Sequence, residues 1–220
     1  MRALLRYIST RTWKRYLEWY LRKPRRFSFK GMTLIIEPGV FHPGFFYSTR
    51  FLLGHIAGLD LQDKKVLELG CGSGLIALYA AGQNARVTAS DISQTAVGAL
   101  RRNAASCKRS LSIVHSDLFA GLPRQEFDLI IVNPPYYKGV PASEAEYAWY
   151  CGPDLAYFRR LFAEAGSYMH AGSSIVMVLS EACDIAGIRM LAEAAGMRME
   201  EVSAKQFLLE KNFIYHLKVV

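Results

Sequence analysis

A glycine-rich turn follows a short apolar segment near residue 66. Residues 66–74 read Val-Leu-Glu-Leu-Gly-Cys-Gly-Ser-Gly, which places glycines at positions 70, 72 and 74. Glycines at this spacing let the backbone turn sharply and approach a ligand, and a helix that follows offers its N-terminal N–H groups. A tight strand-to-helix turn without a ligand is the alternative. The G-x-G-x-G spacing differs from the G-x-G-x-x-G of dinucleotide sites, which disfavours a nicotinamide-dependent oxidoreductase.

Polar or rigid residues also follow the next three predicted strands. Asp91 lies 21 residues beyond Gly70, where a carboxylate can accept hydrogen bonds from both hydroxyls of a ribose. Alternatively it caps the next helix, although Ser93 is at least as good a cap. Asp117 follows the third strand, and Asn133-Pro134-Pro135-Tyr136 follows the fourth.

The tetrapeptide Asn133–Tyr136 has the chemistry of a hydrogen-bond acceptor site. Two prolines fix the backbone angle φ twice and remove two N–H donors. The Asn133 side chain and the Pro134 carbonyl can therefore be held as outward-facing acceptors. Because the carboxyl ends of parallel strands meet at one edge of a sheet, this tetrapeptide, the glycine turn and the two aspartates predict one ligand site.

The elements that must position these residues alternate between strand and helix. The predicted strands cover residues 66–69, 86–90, 111–115, 128–132 and 174–179. The predicted helices cover 49–59, 74–83, 93–106, 154–169 and 184–195. Two final strands, 197–205 and 212–220, are joined by a short turn and must be antiparallel to each other. Such alternation predicts a doubly wound α/β fold with a mostly parallel, seven-stranded sheet and an antiparallel closing strand.

The N-terminal segment, residues 1–30, differs from the rest of the chain in charge. It contains ten Lys and Arg side chains and one acid, a net charge of +9, whereas residues 31–220 together carry −1. Residues 2–22 predict an amphipathic helix that ends at Pro24, and residues 26–36 predict a hairpin around Gly31. We expect residues 1–40 to be a basic arm and 41–220 the main domain. The arm could dock on that domain, contact nucleic acid, lie on an anionic membrane surface or target the protein.

Composition indicates a globular, cytoplasmic protein. Hydrophobic residues make up 51% of the chain and charged residues 21%, and no apolar run is long enough to form a transmembrane helix. The four cysteines are widely separated in sequence and form no Cys-x-x-Cys pair, which predicts free thiols and no metal site. The five histidines show no pairing in sequence and are assigned to packing or surface roles: His42, His55, His115, His170 and His216.

Residues 40–220 resemble the class I S-adenosylmethionine-dependent methyltransferases. The motif of residues 66–74 and the tetrapeptide Asn133–Tyr136 are similar to those of the branch with a D/N-P-P-Y/F motif, which includes HemK-like glutamine and adenine N-methyltransferases and the methyltransferase small domain. The resemblance implies S-adenosylmethionine as the cofactor, with catalytic roles for Asn133, Pro134 and Tyr136. The cofactor-binding residues that it implies are Glu68, Gly70, Cys71, Gly72, Gly74, Asp91, Ile92, Asp117, Leu118 and Asn133.

The resemblance implies methylation of an amide or exocyclic amine nitrogen. Such nitrogens are poor nucleophiles, and Asn133 and the Pro134 carbonyl would orient them while Tyr136 stacks on the planar group. The acceptor is expected to be a protein glutamine or an RNA or DNA base. Residues 152–160 resemble a segment of the glutamine enzymes, whereas the basic, aromatic arm favours RNA. A small-molecule methyltransferase and a non-catalytic cofactor-binding module remain alternatives.

Residues 45–49 (Phe-Phe-Tyr-Ser-Thr) lie in the segment that covers the cofactor in the resembled family. The start of a helix at Ser48 accounts for the polar Ser48-Thr49 pair equally well. We therefore expect residues 45–49 either to cover the cofactor or to begin a helix at Ser48.

Overall fold

The chain forms a seven-stranded sheet flanked by helices and preceded by a two-stranded hairpin. The computed structural model describes residues 19–45, 47–207 and 210–220, so most of the helix predicted over residues 2–22 lies outside the described residues. The described strands are β1 (Arg25–Phe29), β2 (Met32–Ile36), β3 (Lys65–Leu69), β4 (Arg86–Asp91), β5 (Ser112–His115), β6 (Phe127–Val132), β7 (Met169–Ser180), β8 (Met197–Gln206) and β9 (Lys211–Val219). The described helices are α1 (Tyr47–Ile56), α2 (Leu75–Gly82), α3 (Gln94–Ser106), α4 (Ala156–Ala165) and α5 (Ile185–Ala194).

The sheet order is β5-β4-β3-β6-β7-β9-β8, and β9 runs antiparallel to both of its neighbours. The predicted fold class is therefore confirmed. The chain leaves β3 toward β4 and β5, then crosses to place β6 on the other side of β3. This reversal creates a crevice at the carboxyl ends of β3 and β6, where ligands bind in doubly wound sheets. Leu69 and Val132 pair across these strands, so the glycine turn and the tetrapeptide begin side by side.

Apolar side chains cover both faces of the sheet, as expected for parallel strands enclosed by crossover helices. On one face α1, α2, α3 and strand β2 pack around Val66 and Ile131. On the other face α4 and α5 pack around Leu67 and Ile130. Alternate residues of β3 and β6 thus enter different cores, which fixes the register of the two strands that carry the candidate site.

The hairpin of β1 and β2 is confirmed, with Phe29 opposite Met32. Asn103 of α3, only 1% exposed, binds it to the domain. Its Oδ1 accepts a hydrogen bond from Ile35 N at 2.8 Å, and its Nδ2 donates to the Ile35 carbonyl at 3.0 Å and the Ser73 carbonyl at 3.2 Å. One buried amide therefore connects the hairpin to the glycine turn.

The helix predicted over residues 154–169 is shorter in the structure. Leu155 has a φ of 61°, which places it in the left-handed region, so α4 begins only at Ala156. The helix ends at Ala165, and a 3₁₀ helix over Gly166–Tyr168 leads into β7. In the part of the chain that the structure describes, no helix is both long and apolar enough to span a membrane.

Candidate active site

The glycine turn connects β3 to α2 at the crevice. Gly74 has a φ of 80°, and a Cβ at this position would lie 2.1 Å from Leu100 Cδ1; only glycine fits there. Gly70 has a φ of 69°, and a Cβ there would meet nothing within 4 Å. The turn is therefore closed against α3 on one side and open above Gly70. Between these glycines, burial raises the pKa of the Cys71 thiol well above its usual range, so the sulfur is a neutral packing atom.

Asp91, at the end of β4, is bound to the glycine turn. Its Oδ2 accepts a hydrogen bond from Gly72 N at 2.8 Å and its Oδ1 accepts one from Ser93 N at 2.9 Å. Ser93 is the N-cap of α3, with its Oγ accepting from Ala96 N, which confirms that predicted cap. Burial raises the pKa of Asp91, and the two N–H groups oppose that rise. Each carboxylate oxygen retains a lone pair for a further donor.

Glu68 lies beneath the turn, on β3, and is buried. Its Oε2 accepts a hydrogen bond from Ala77 N, in the first turn of α2, at 2.8 Å. Burial raises the pKa of this carboxyl to about 8, so it is mostly protonated at neutral pH. The contact joins β3 to α2 behind the glycine turn.

Asn133 and Tyr136 of the tetrapeptide contact each other and α1. Asn133 Nδ2 donates a hydrogen bond to Thr49 Oγ1 at 3.1 Å, and Tyr136 Oη donates to Asn133 Oδ1 at 3.1 Å. Burial raises the pKa of Tyr136 above its ordinary value, although a side-chain hydrogen bond with Ser48 opposes the rise. The phenol therefore remains a donor. The Asn133 carbonyl oxygen has a second lone pair for another N–H group.

Asp117 and Leu118 follow β5. The Asp117 Oδ2 accepts a hydrogen bond from Arg160 Nη1 at 2.8 Å. Leu118 is buried and adopts a φ of 50°. Tyr157 lies near both acids: burial is the main cause of its raised pKa, and the charges of Asp91 and Asp117 raise it further. Tyr157 and Arg160, both on α4, are therefore additional residues at this edge of the site.

Two loops border the glycine turn. A Cβ on Gly72 would lie 3.9 Å from Val40 Cγ1, so the segment before α1 packs beside the turn. The loop after the tetrapeptide closes on itself through the hydrogen bond from Tyr137 N to the Trp149 carbonyl at 2.8 Å. Trp149 and Phe41 join the two loops, with ring centroids 5.4 Å apart.

The structure brings the residues predicted for the site to one edge of the sheet, but sequence reasoning missed several of their contacts. Thr49, Tyr157 and Arg160 touch or approach predicted site residues from α1 and α4. The sequence signal that pointed to Thr49 was its place in residues 45–49, the segment that covers the cofactor in the resembled family. Residue 46 of this segment lies outside the described residues. Helix α1 covers Tyr47–Ile56, so it begins two residues before the predicted range of 49–59 and ends three residues before the end of that range.

Three of the histidines that show no pairing in sequence have side-chain partners in the structure. His55 Nε2 on α1 and His216 Nε2 on β9 lie 2.7 Å apart, and His170 Nε2 lies 3.2 Å from Asp128 Oδ1. These partners are distant in sequence, so only the tertiary fold reveals them. Across the described ranges, no group of three or more His, Cys, Asp and Glu side chains is arranged to hold a metal ion.

This fold, with β9 reversed and a glycine turn at the β3–β6 crevice, is that of the class I methyltransferases. Residues 31–209 match the sequence family described as Methyltransferase small domain, and the chain belongs to this family.

Relatives differ in what their names say they methylate. The chain is 36% identical over 153 residues to the release factor glutamine methyltransferase of Rhodopirellula baltica. This match covers 62% of this chain and 51% of that protein. It is 41% identical over 82 residues to the tRNA1(Val) (adenine(37)-N6)-methyltransferase of Vibrio campbellii, and this match covers 36% of this chain and 34% of that protein. The chain thus spans at most about half the length of these two relatives.

Among solved structures, the 16S rRNA N2 G1207 methyltransferase of T. thermophilus, in complex with AdoMet and guanosine, superimposes with a TM-score of 0.70. The match has 18% sequence identity and covers 90% of this chain and 50% of that one. At this identity the similarity shows a common fold.

Proposed function

We propose that this protein is an S-adenosylmethionine-dependent N-methyltransferase whose acceptor is a planar amide or exocyclic amine nitrogen of a macromolecule. The observation that carries the proposal is the ordered tetrapeptide Asn133–Tyr136 directly beside the glycine turn. The family and the names of its relatives support the same class of reaction.

The residues at the crevice fit the cofactor. The space above Gly70 leaves room for a ligand close to the backbone, and Asp91 keeps acceptor capacity for ribose hydroxyls. We propose that cofactor binding involves all the residues that the family resemblance implied for it: Glu68, Gly70, Cys71, Gly72, Gly74, Asp91, Ile92, Asp117, Leu118 and Asn133. When bound, S-adenosylmethionine supplies an electrophilic methyl group on a sulfonium.

The protein's own contribution is to orient the acceptor nitrogen. Asn133 Oδ1 and the Pro134 carbonyl accept hydrogen bonds from the two N–H groups, which turns the nitrogen lone pair toward the methyl group. Tyr136 packs against the planar acceptor. As the new N–CH₃ bond forms, the S–CH₃ bond of the bound cofactor would break and S-adenosylhomocysteine would be the leaving group. Positive charge that develops on the nitrogen strengthens these hydrogen bonds, so most of the rate comes from placement and preorganised dipoles. The nitrogen then loses one proton to solvent.

The basic residues favour RNA over protein glutamine as the macromolecule. Among the described residues, Arg22, Lys23, Arg26 and Lys30 are exposed on or before the hairpin. The adjoining end of α3 adds a further group of exposed cations: Arg101, Arg102, Lys108 and Arg109. Such a surface suits a phosphate backbone, and we infer that residues 1–30 contact nucleic acid. The four free cysteines support a cytoplasmic location.

Labelled-methyl transfer tests the proposal. The protein is incubated with methyl-labelled S-adenosylmethionine and an extract of source cells that lack its gene, and the products are digested with nuclease or protease. Label that nuclease releases supports RNA or DNA, and label that protease releases supports glutamine. Label confined to small molecules, or cofactor binding without transfer, would contradict the proposal in favour of the two alternatives.

A further inference from the structure

Thr49 contacts the side-chain amide of Asn133, the candidate catalytic residue. Neither of the roles suggested for residues 45–49, covering the cofactor or starting a helix, explains this contact. Thr49 is the third residue of α1 and only 8% exposed, so it lies beyond the N-cap position, and capping does not explain its side chain. Its Oγ1 accepts the hydrogen bond from Asn133 Nδ2 at 3.1 Å, across 84 residues of sequence.

The position of Thr49 is fixed by the packing of α1. Leu52, Leu53 and Ile56 of this helix are fully buried in the core on one face of the sheet. The hydroxyl of Thr49 is therefore presented to Asn133 by a rigid element, and a residue on such an element positions a neighbour more accurately than one on a loop.

In the structure the Asn133 amide directs Nδ2 to Thr49 and leaves Oδ1 available to a substrate. An amide can rotate by about 180° and exchange its oxygen and nitrogen, because the two ends have nearly the same shape. In the rotated form an NH₂ group would face the N–H of the acceptor nitrogen and repel it. With Nδ2 bound to Thr49, Oδ1 is directed away from α1, where Tyr136 Oη already donates to one of its lone pairs.

We propose that Thr49 is a positioning residue that holds the Asn133 amide with Oδ1 toward the substrate nitrogen. This inference rests on the proposed function. It assigns α1 a part in the reaction, because the first turn of the helix sets the polarity of the amide that receives the substrate.

Two substitutions at Thr49 separate the hydroxyl from the rest of the side chain. Thr49→Val keeps the shape and removes the acceptor, whereas Thr49→Ser keeps the hydroxyl and removes the methyl group. Thr88→Val, on β4, is the matched control because Thr88 is also buried and lies outside the site. The variants are compared by the initial rate of labelled-methyl transfer into the gene-deletion extract and by calorimetry with S-adenosylhomocysteine.

We expect Thr49→Val to lower the transfer rate about tenfold, the effect of losing one hydrogen bond, with the affinity for S-adenosylhomocysteine unchanged. Thr49→Ser should retain most of the rate and Thr88→Val all of it. A wild-type rate in Thr49→Val, an equal loss in Thr49→Ser, or a parallel loss of S-adenosylhomocysteine affinity would overturn the inference.

A second measurement does not depend on turnover. In the NMR spectrum of protein labelled with ¹⁵N at asparagine, the side-chain signals of Asn133 are identified by their loss in Asn133→Ala. They should move in Thr49→Val and stay near their wild-type positions in Thr49→Ser; signals that do not move in Thr49→Val would contradict the inference. If wild-type protein transfers no methyl group but these signals behave as expected, the proposed function fails while the orientation of Asn133 by Thr49 stands.

Discussion

At the scale of single residues, the crevice is built from side chains that bind the backbone of a neighbouring element. Asp91 accepts N–H groups from the glycine turn and from the start of α3, and Glu68 accepts one from α2. These contacts hold the turn in the shape that a ligand would meet. A carboxylate that is already held in place loses little freedom when it binds a ligand.

Asp91→Ala should weaken binding of both S-adenosylmethionine and S-adenosylhomocysteine. Each charge-assisted hydrogen bond to a ribose hydroxyl that is lost should cost about 1.5–3 kcal/mol, before water compensates. Calorimetry measures both affinities, with NADH as a control ligand and the melting temperature as a check on folding. Tight binding of NADH together with no binding of S-adenosylmethionine would contradict the assignment of the crevice.

Sequence reasoning found the residues at the strand ends but not their partners. Gly70, Asp91 and Asn133 could be predicted because glycine spacing and polar residues after buried strands are local signals. The contacts of Thr49 with Asn133 and of Arg160 with Asp117 could not, because these partners meet only after the chain has folded, across 84 and 43 residues respectively. A single sequence contains no signal for such a contact.

At the scale of elements, the alternation of strands and helices was predictable, whereas several ends were not. Strand β7 begins at Met169, five residues before the predicted start, because the polar stretch after Met169 hides a strand whose apolar part begins at Ile175. The contact between α1 and β9 was also missed. There His55 and His216 meet with their rings perpendicular and 5.0 Å apart.

The His55–His216 contact should make stability depend on pH. Burial lowers the pKa of both rings, and for His216 the neighbouring His55 and Lys218 lower it further, while Glu200 opposes this. The folded protein therefore binds protons less readily than the unfolded chain, whose histidines have a pKa of about 6.5. The contribution of this pair to the unfolding free energy should therefore fall as pH is lowered below about 6.5, whereas Glu68, whose pKa is raised by burial, contributes in the opposite direction.

Urea unfolding at several values between pH 5 and pH 7 measures this dependence. His216→Gln removes one of the two depressed groups, so its stability should decline less steeply with acid than that of the wild type, and His55→Gln should behave in the same way. If the unfolding free energy of both variants declines with acid as steeply as that of the wild type, or more steeply, the His55–His216 pair does not cause the pH dependence.

At the scale of the whole molecule, the charge is divided along the sequence between a basic N-terminal segment and a nearly neutral remainder. Residues 1–30 carry a net charge of +9, and Asn103 binds the basic hairpin directly to the domain that holds the candidate site. The charge division was evident from sequence. The placement of the hairpin beside the cations of α3 required the fold.

Deletion of residues 1–23, which leaves β1 intact, should reduce the salt dependence of RNA binding. This segment contains seven Lys and Arg side chains. If about five of them contact phosphates, the slope of log affinity against log salt should flatten by about 3.5–4.5 units. Filter binding with bulk RNA at several salt concentrations measures the slope. An unchanged slope, or a full-length protein that binds anionic vesicles but not RNA, would contradict the RNA proposal and favour protein glutamine as the methyl acceptor.

The central claim, that Asn133 orients an acceptor nitrogen for methylation, is tested most directly by Asn133→Ala. Its contact with the acceptor strengthens as charge develops on the nitrogen, so labelled-methyl transfer should fall by about 100- to 1,000-fold, a much larger factor than any loss of S-adenosylmethionine affinity that follows from its place in the cofactor-binding set. Asn133→Asp, which keeps an acceptor oxygen, should retain part of the rate. A wild-type rate in Asn133→Ala, or an equal loss of cofactor affinity, would contradict the account.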